Sequence, residues 1–150
     1  MVENGRILVV DDEDSIRKVL KTILEEKGYR VDTAENGKEA INKSKQGAYN
    51  LALIDVRLPD IEGTELLKAM ENTTPNMVKV IVTGYPSLQN AITAVNNGAD
   101  AYILKPFKVE KVLHTIDVHL RRQQSEREYS EERVAEFIAT RVKEIEETIR

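Results

Sequence analysis

Leu51-Ala52-Leu53-Ile54-Asp55 is a run of four apolar residues that stops on a carboxylate. The run is too short for a helix and too uniformly apolar for a strand with one wet face. It reads as a strand buried on both sides, the kind found in parallel sheets covered by helices. Other runs share the pattern. Ile7-Leu8-Val9-Val10 stops on Asp11-Asp12, Val80-Ile81-Val82 on Thr83, and Tyr102-Ile103-Leu104 on Lys105. Parallel strands finish at one edge of their sheet. Three carboxylates, a hydroxyl and an ammonium, far apart in sequence, should therefore meet where open α/β sheets bind ligands.

Helix-period segments alternate with these runs. Ile16, Val19, Leu20, Ile23 and Leu24 mark one helical face, closed by Gly28. Arg30 to Ala34 is a weaker strand, preceded by Tyr29. Asn36-Gly37 marks a turn into a short helix with Ala40 and Ile41 inward, ending at Gly47. Glu62 to about Glu71 is a helix with Leu66, Leu67 and Met70 inward. Pro86 to Asn97 is another, with Leu88, Ala91, Ile92 and Val95 on one face and Gly98 at its close. A last helix carries Val109, Val112, Leu113, Ile116 and Leu120. Five βα units imply an α/β protein, and right-handed crossovers make its sheet doubly wound.

Composition narrows the function. At 150 residues the chain has room for one domain and a modest extension. It has no cysteine, which excludes disulfides, thiolate metal sites and cysteine nucleophiles. A net charge of -4 gives no basic footprint for nucleic acid. No apolar run approaches the roughly 20 residues needed to span a bilayer, and Met1 to Arg6 lacks a signal-peptide pattern. The expected location is cytoplasmic, with no membrane contact.

The converging groups have a chemical logic. Clustered carboxylates repel one another and need a cation, and an all-oxygen site suits Mg²⁺. Asp55 would be a nucleophile that forms an aspartyl phosphate. Lys105 and Thr83 would bind the phosphoryl oxygens.

The sequence resembles the receiver domains of response regulators in two-component signal transduction, over roughly residues 4–122. The resemblance rests on Ile7 to Asp12, Leu53 to Gly63, Val82-Thr83-Gly84-Tyr85 and Lys105-Pro106-Phe107. It implies a flavodoxin-like, five-stranded parallel sheet in the order 2-1-3-4-5. It implies that Asp11, Asp12, Asp55 and the backbone carbonyl of Arg57 hold the metal. Thr83 would be the switch hydroxyl, Tyr102 the switch aromatic, and Lys105-Pro106 a cis peptide. The phosphoryl donor would be a sensor histidine kinase or a phosphotransfer protein.

Each residue alone has a plainer reading. Asp11 to Asp14 could simply cap a helix, with Asp14 partly a cap or a support for the site. Asp55 could form a turn, Thr83 and Lys105 could be surface groups, and Tyr102 a half-buried strand aromatic. His114 and His119, in the last helix, read as surface residues. Three other functions compete. A phosphatase of this fold would want an acid two residues after Asp55, where Arg57 stands. A nucleotide or flavin binder would want a glycine-rich loop after the first strand, where Asp11-Asp12-Glu13-Asp14 stands. A phosphorylation-independent interaction or dimerisation module is the remaining alternative.

The domain boundaries expected are 1–122 for the receiver and 123–150 for a helical extension or linker. Arg121 to Arg133 is very polar, and Ser125 with Glu128 or Ser130 could break the helix there. Beyond it Ala135, Ile138, Val142, Ile145 and Ile149 recur at spacings of 3, 4, 3 and 4. That is a coiled-coil seam, and the resemblance suggests that the last helix runs on into a parallel two-stranded coiled coil, which makes the chain a homodimer. A stripe packed back on the receiver is the alternative.

Overall fold

The structure, a computed structural model, describes residues 5–73, 76–84 and 87–149, with residues 71–73 and 88–90 described by backbone alone. Five βα units follow one another: β1 (Arg6–Val10), α1 (Asp14–Glu26), β2 (Arg30–Ala34), α2 (Gly37–Gln46), β3 (Leu51–Asp55), α3 (Gly63–Thr73), β4 (Val78–Thr83), α4 (Leu88–Asn96), β5 (Ala101–Leu104) and α5 (Val109–Ile149). The strands form one parallel sheet in the order β2-β1-β3-β4-β5. The order reverses between β1 and β3, which opens a crevice at their carboxyl ends.

Alternating strand residues feed two cores. Ile7, Val9, Leu51, Leu53, Val80 and Val82 face α1 and the first turns of α5, where they meet Leu20, Leu24, Val112 and Ile116. Leu8, Val10, Ala52, Ile54 and Ile81 face the other way, onto Ala40, Leu66, Leu67, Met70 and Ala94. Because both sheet faces are covered, Ile7 to Val10 and Leu51 to Ile54 read as unbroken apolar runs, whereas the edge strand β2 does not. Each fully buried Leu or Ile contributes about 2 kcal/mol.

The glycines expected to end helices do so. Gly28 and Gly98 adopt positive φ of 92° and 99°, which a Cβ would penalise. Asn36 caps α2 by accepting the Glu39 N–H at 2.8 Å.

Several apolar positions depart from the expected inward faces. Val19 of α1 is exposed while Leu20 and Leu24 carry the contact. Val109 is exposed because it is the first residue of α5. Among the described side chains of α4, Ala94 is buried, whereas Ile92 and Val95 face solvent. Ala94 joins the second core, while Ile92 and Val95 lie away from it. Tyr85 and Pro86, the side chain of Leu88, and Arg150 lie outside the described residues.

The chain divides into two compact units, Met1–Leu120 and Arg121–Arg150. The second is helical throughout its described residues, with no break at Ser125 or Ser130. No helix among the described residues is long and apolar enough to cross a membrane.

Candidate functional site

The strand register brings the polar strand ends together. Val10 lies opposite Ile54, so Asp11 and Asp55 leave adjacent strands at the same level. Thr83 closes β4 opposite Leu104, and the Lys105 N–H donates to the Thr83 carbonyl at 2.7 Å. The peptide between Lys105 and Pro106 is cis. Oxygens of Asp11, Asp12 and Asp55 lie within 4.8 Å of one another. Asp11 and Asp55 are buried, at 3% and 6% exposure, whereas Asp12 stands at the mouth.

Charge is unevenly balanced here. Lys105 Nζ sits 2.9 Å from Asp11 Oδ2 and 3.7 Å from Asp55 Oδ2. Arg17 Nη1 also donates to the Asp11 carbonyl oxygen, at 2.6 Å. Asp55 is therefore the less neutralised carboxylate. Burial, and then the charge of Asp11, push its carboxyl up to about 6 against the Lys105 charge that opposes them. For Lys105, burial acts to lower its pKa. The hydrogen bond and charge of Asp11, with Asp55 behind them, outweigh burial and hold the ammonium above its usual range.

Neighbouring loops support this edge. Asp11 Oδ1 accepts the Glu13 N–H at 2.9 Å, tying the start of α1 to the site. Asp14, expected to cap α1 in part, is instead its exposed first residue. It is paired with Arg17 at 3.1 Å and Lys18 at 2.8 Å, because Asp11 already holds the turn. Gly63 N–H donates to the Val56 carbonyl at 2.6 Å, and Arg57 bridges to Glu62, folding the β3–α3 turn beside Asp55. Asp60 accepts the N–H groups of Gly37 and Lys38 at 2.8 and 2.9 Å, which joins this turn to the start of α2. These backbone donors hold the exposed Asp60 carboxyl below its usual range. Arg17, Asp60 and Gly63 had no role assigned from sequence alone. The one available signal was that Asp60 and Gly63 fall inside the motif around Asp55.

Tyr102 lies on β5 opposite Ile81, its ring against the second core. Its hydroxyl is buried without a partner among the described residues, and burial raises the phenol pKa. His114 and His119 lie along a groove beside β5 and α5, away from the carboxylates.

The donor set fits a hard divalent cation. Three carboxylates from two neighbouring strand ends offer only oxygen, and burial, then the charge of Asp11, disfavours the ionised Asp55, a cost that such an ion would relieve. Asp12→Asn should therefore weaken Mg²⁺ binding about tenfold or more. It should also stabilise the metal-free protein by no more than about 0.5 kcal/mol, since Asp12 is exposed and its repulsion is screened. Thermal melts across a Mg²⁺ titration check both halves, and an unchanged Mg²⁺ response would remove Asp12 from the site.

Comparison with known proteins agrees with this geometry. The response regulator receiver domain family matches residues 7–117. A CheY-like receiver domain protein from Methanospirillum hungatei JF-1 has 44% sequence identity and a TM-score of 0.81, over 83% of this chain and 99% of that one. The transcriptional regulatory protein YkoG of Bacillus subtilis is 37% identical over 80% of this chain and 53% of its own length. ZraR of Klebsiella oxytoca is 36% identical over 76% of this chain and 26% of its own. The chain thus spans about half, or less, of the length of these curated relatives. The match of residues 7–117, at the fold and spacing described above, means that this chain belongs to the response regulator receiver domain family.

Proposed function

We propose that this chain is a cytoplasmic, phosphorylation-dependent switch whose phosphoryl group is carried on Asp55. The observation that carries the reading is the meeting of Asp11, Asp12, Asp55 and Lys105 at one strand edge, with Thr83 ending the neighbouring strand. Asp11, Asp12, Asp55 and the Arg57 carbonyl would hold Mg²⁺. Bound there, the ion offsets charge gathering on the transferred phosphoryl oxygens.

The carboxylate of Asp55 attacks phosphorus directly, so no general base is needed. A P–O bond forms as the P–N bond of a phosphohistidine donor breaks, and the electron pair returns to the imidazole, which takes up a proton. The donor is a sensor histidine kinase or a phosphotransfer protein. Lys105 moves from Asp11 toward the new phosphoryl oxygens, and Thr83 supplies a hydroxyl to another. The only catalysis is of the domain's own phosphoryl transfer and dephosphorylation. Incubation with acetyl phosphate and Mg²⁺ should add one phosphoryl group by intact mass, and no addition would overturn the reading.

Thr83 and Tyr102 carry the signal outward. Thr83 is fully buried, so its movement must displace neighbours. The inward Tyr102 hydroxyl gives up no hydrogen bond to a described residue if the ring moves. The phosphoryl group shifts the population only through contacts that differ between the two arrangements. Thr83→Ala should still accept phosphate while its β5 and α5 amide shifts shrink several-fold in NMR spectra with beryllofluoride. Thr83→Ser should respond as wild type does. Equal responses in all three proteins would exclude the hydroxyl from the coupling.

The C-terminal helix is read as the means of homodimerisation. Ile138, Val142, Ile145 and Ile149 are about half exposed or more on it, and such a stripe seeks cover. Sedimentation of the full chain should show a dimer that Ile138→Glu disrupts. A monomeric full chain at high micromolar concentration would overturn this part.

A further inference from the structure

The contacts that shape the β3–α3 turn differ in reach. The Gly63 N–H bond to the Val56 carbonyl, at 2.6 Å, and the Arg57–Glu62 bridge close the neck of the turn. Asp60, at the tip, reaches instead to the first turn of α2. Its Oδ1 accepts the Gly37 N–H at 2.8 Å and its Oδ2 the Lys38 N–H at 2.9 Å, across 23 and 22 residues of sequence. The tip also lies directly on this helix. A Cβ on Gly37 would fall 2.1 Å from Ile61 Cγ2, and Ile61 packs against the second core. Asp60 itself is exposed and covers no core, so packing does not account for it. Helix α2 is capped separately by Asn36, which accepts the Glu39 N–H.

These links complete a circuit around the carboxylates. The Asp11 N–H donates to the Ala34 carbonyl at 3.1 Å, tying the end of β1 to the end of β2. Asn36 then caps α2, and the first N–H groups of α2 hold Asp60. From Asp60 the turn leads back through Arg57 to Asp55. Asp11 and Asp55 are thus joined twice, within the sheet by their strands and outside it through α2.

The circuit bears on a backbone carbonyl. A side-chain ligand can be aimed by its rotamer, but the Arg57 carbonyl is aimed only by the backbone of its turn. Mg²⁺ accepts little departure from close, octahedral oxygen geometry. A carboxylate seated on two helix N–H groups is a firm anchor, because the donors and the helix dipole both favour the anion.

We propose that Asp60 is a positioning residue for the metal site, which holds the Arg57 carbonyl in place for Mg²⁺ by anchoring the tip of the β3–α3 turn to the start of α2. This role presupposes the metal reading above and names a residue that supports it from outside the ligand set. The plain alternative is that Asp60 only caps α2, as Asn36 does.

Mg²⁺ titrations of the full chain, followed by amide NMR at a temperature where every variant is folded, separate the two roles. Asp60→Ala should weaken Mg²⁺ binding about tenfold, the lower end of what supporting partners contribute to metal affinity. Asp60→Asn keeps one oxygen for the Gly37 N–H and should fall between Asp60→Ala and wild type. Asn36→Ala removes the other cap, so it should lower Tm while leaving Mg²⁺ affinity as in wild type. Wild-type Mg²⁺ affinity in Asp60→Ala, or an equal loss of affinity in Asn36→Ala, would reduce Asp60 to a cap and overturn its positioning role. A wild-type chain that takes up no Mg²⁺ would overturn the metal reading itself.

Discussion

Asp55→Asn should abolish phosphoryl incorporation and, without metal, make the protein more stable than wild type at neutral pH. Both effects come from the same buried carboxylate. Its folded-state pKa is about 6 against a reference of 3.8. Below about pH 4 the folded and unfolded chains both hold the proton, and the shift costs nothing. Between about 4 and 6 the folded protein keeps a proton that the unfolded chain has lost, so stability falls as pH rises. Above about 6 the folded state carries the full cost of an ionised, crowded carboxylate. Allowing for water at the mouth, that cost is on the order of 1–2 kcal/mol. Asp55→Asn removes it, so urea melts of mutant and wild type should diverge from pH 4 to pH 7.5 and stay parallel above. Mg²⁺ should stabilise wild type strongly and the mutant weakly. Equal stabilities at pH 7.5 without metal would show that the carboxylates are not crowded as the geometry states.

Gly63→Ala should be among the most damaging single-methyl changes in the receiver. A Cβ at Gly63 would fall 2.4 Å from the Asp55 carbonyl oxygen and 2.8 Å from the Val56 Cα. Both are backbone atoms, so no side chain can rotate away. The Gly63 N–H bond to the Val56 carbonyl, at 2.6 Å, holds the two segments together from the other side. The β3–α3 turn must open, at about 3 kcal/mol by the scale of overpacked cores. For a domain of this size that lowers Tm by about 10 °C. Because the turn includes Asp55 and Arg57, Mg²⁺ affinity should fall with it. A Tm within a degree or two of wild type would show that the turn is not tightly closed.

The centre of the sheet was legible because β1 and β3 are buried on both faces. Ile7 to Val10 and Leu51 to Ile54 need no partner to be read as strands. The edge on which their terminal carboxylates meet then follows from parallel topology. Lys79 breaks that pattern inside β4 without ending the strand, its ammonium donating to the Met77 carbonyl at 3.1 Å. The α4 face was misjudged because periodicity marks an apolar side and not its contact. Ala94 enters the core and Ile92 does not. The helix through Arg121 to Arg133 was left open because polar residues carry no period, and i,i+4 contacts such as Gln124 to Glu128 only emerge with the helix. Within the site, the residue identities were readable but the allocation of charge was not. That Lys105 rests on Asp11 at 2.9 Å, leaving Asp55 the carboxyl that burial raises, depends on distances no spacing encodes. Gly63 was visible as a motif letter, while the reason for it lies in the Asp55 and Val56 backbone.

The most direct test of the central claim is to trap the phosphoryl group chemically and find its residue. Wild-type protein is treated with acetyl phosphate and Mg²⁺, reduced with borohydride, digested and sequenced by mass spectrometry. An aspartyl phosphate is reduced to homoserine, whereas unmodified aspartate and phosphohistidine are not. The account predicts homoserine in place of Asp55 in the peptide spanning β3, dependent on Mg²⁺, and at no other aspartate. An unreduced Asp55 in protein that has gained a phosphoryl group, or the label at His114 or His119, would contradict it.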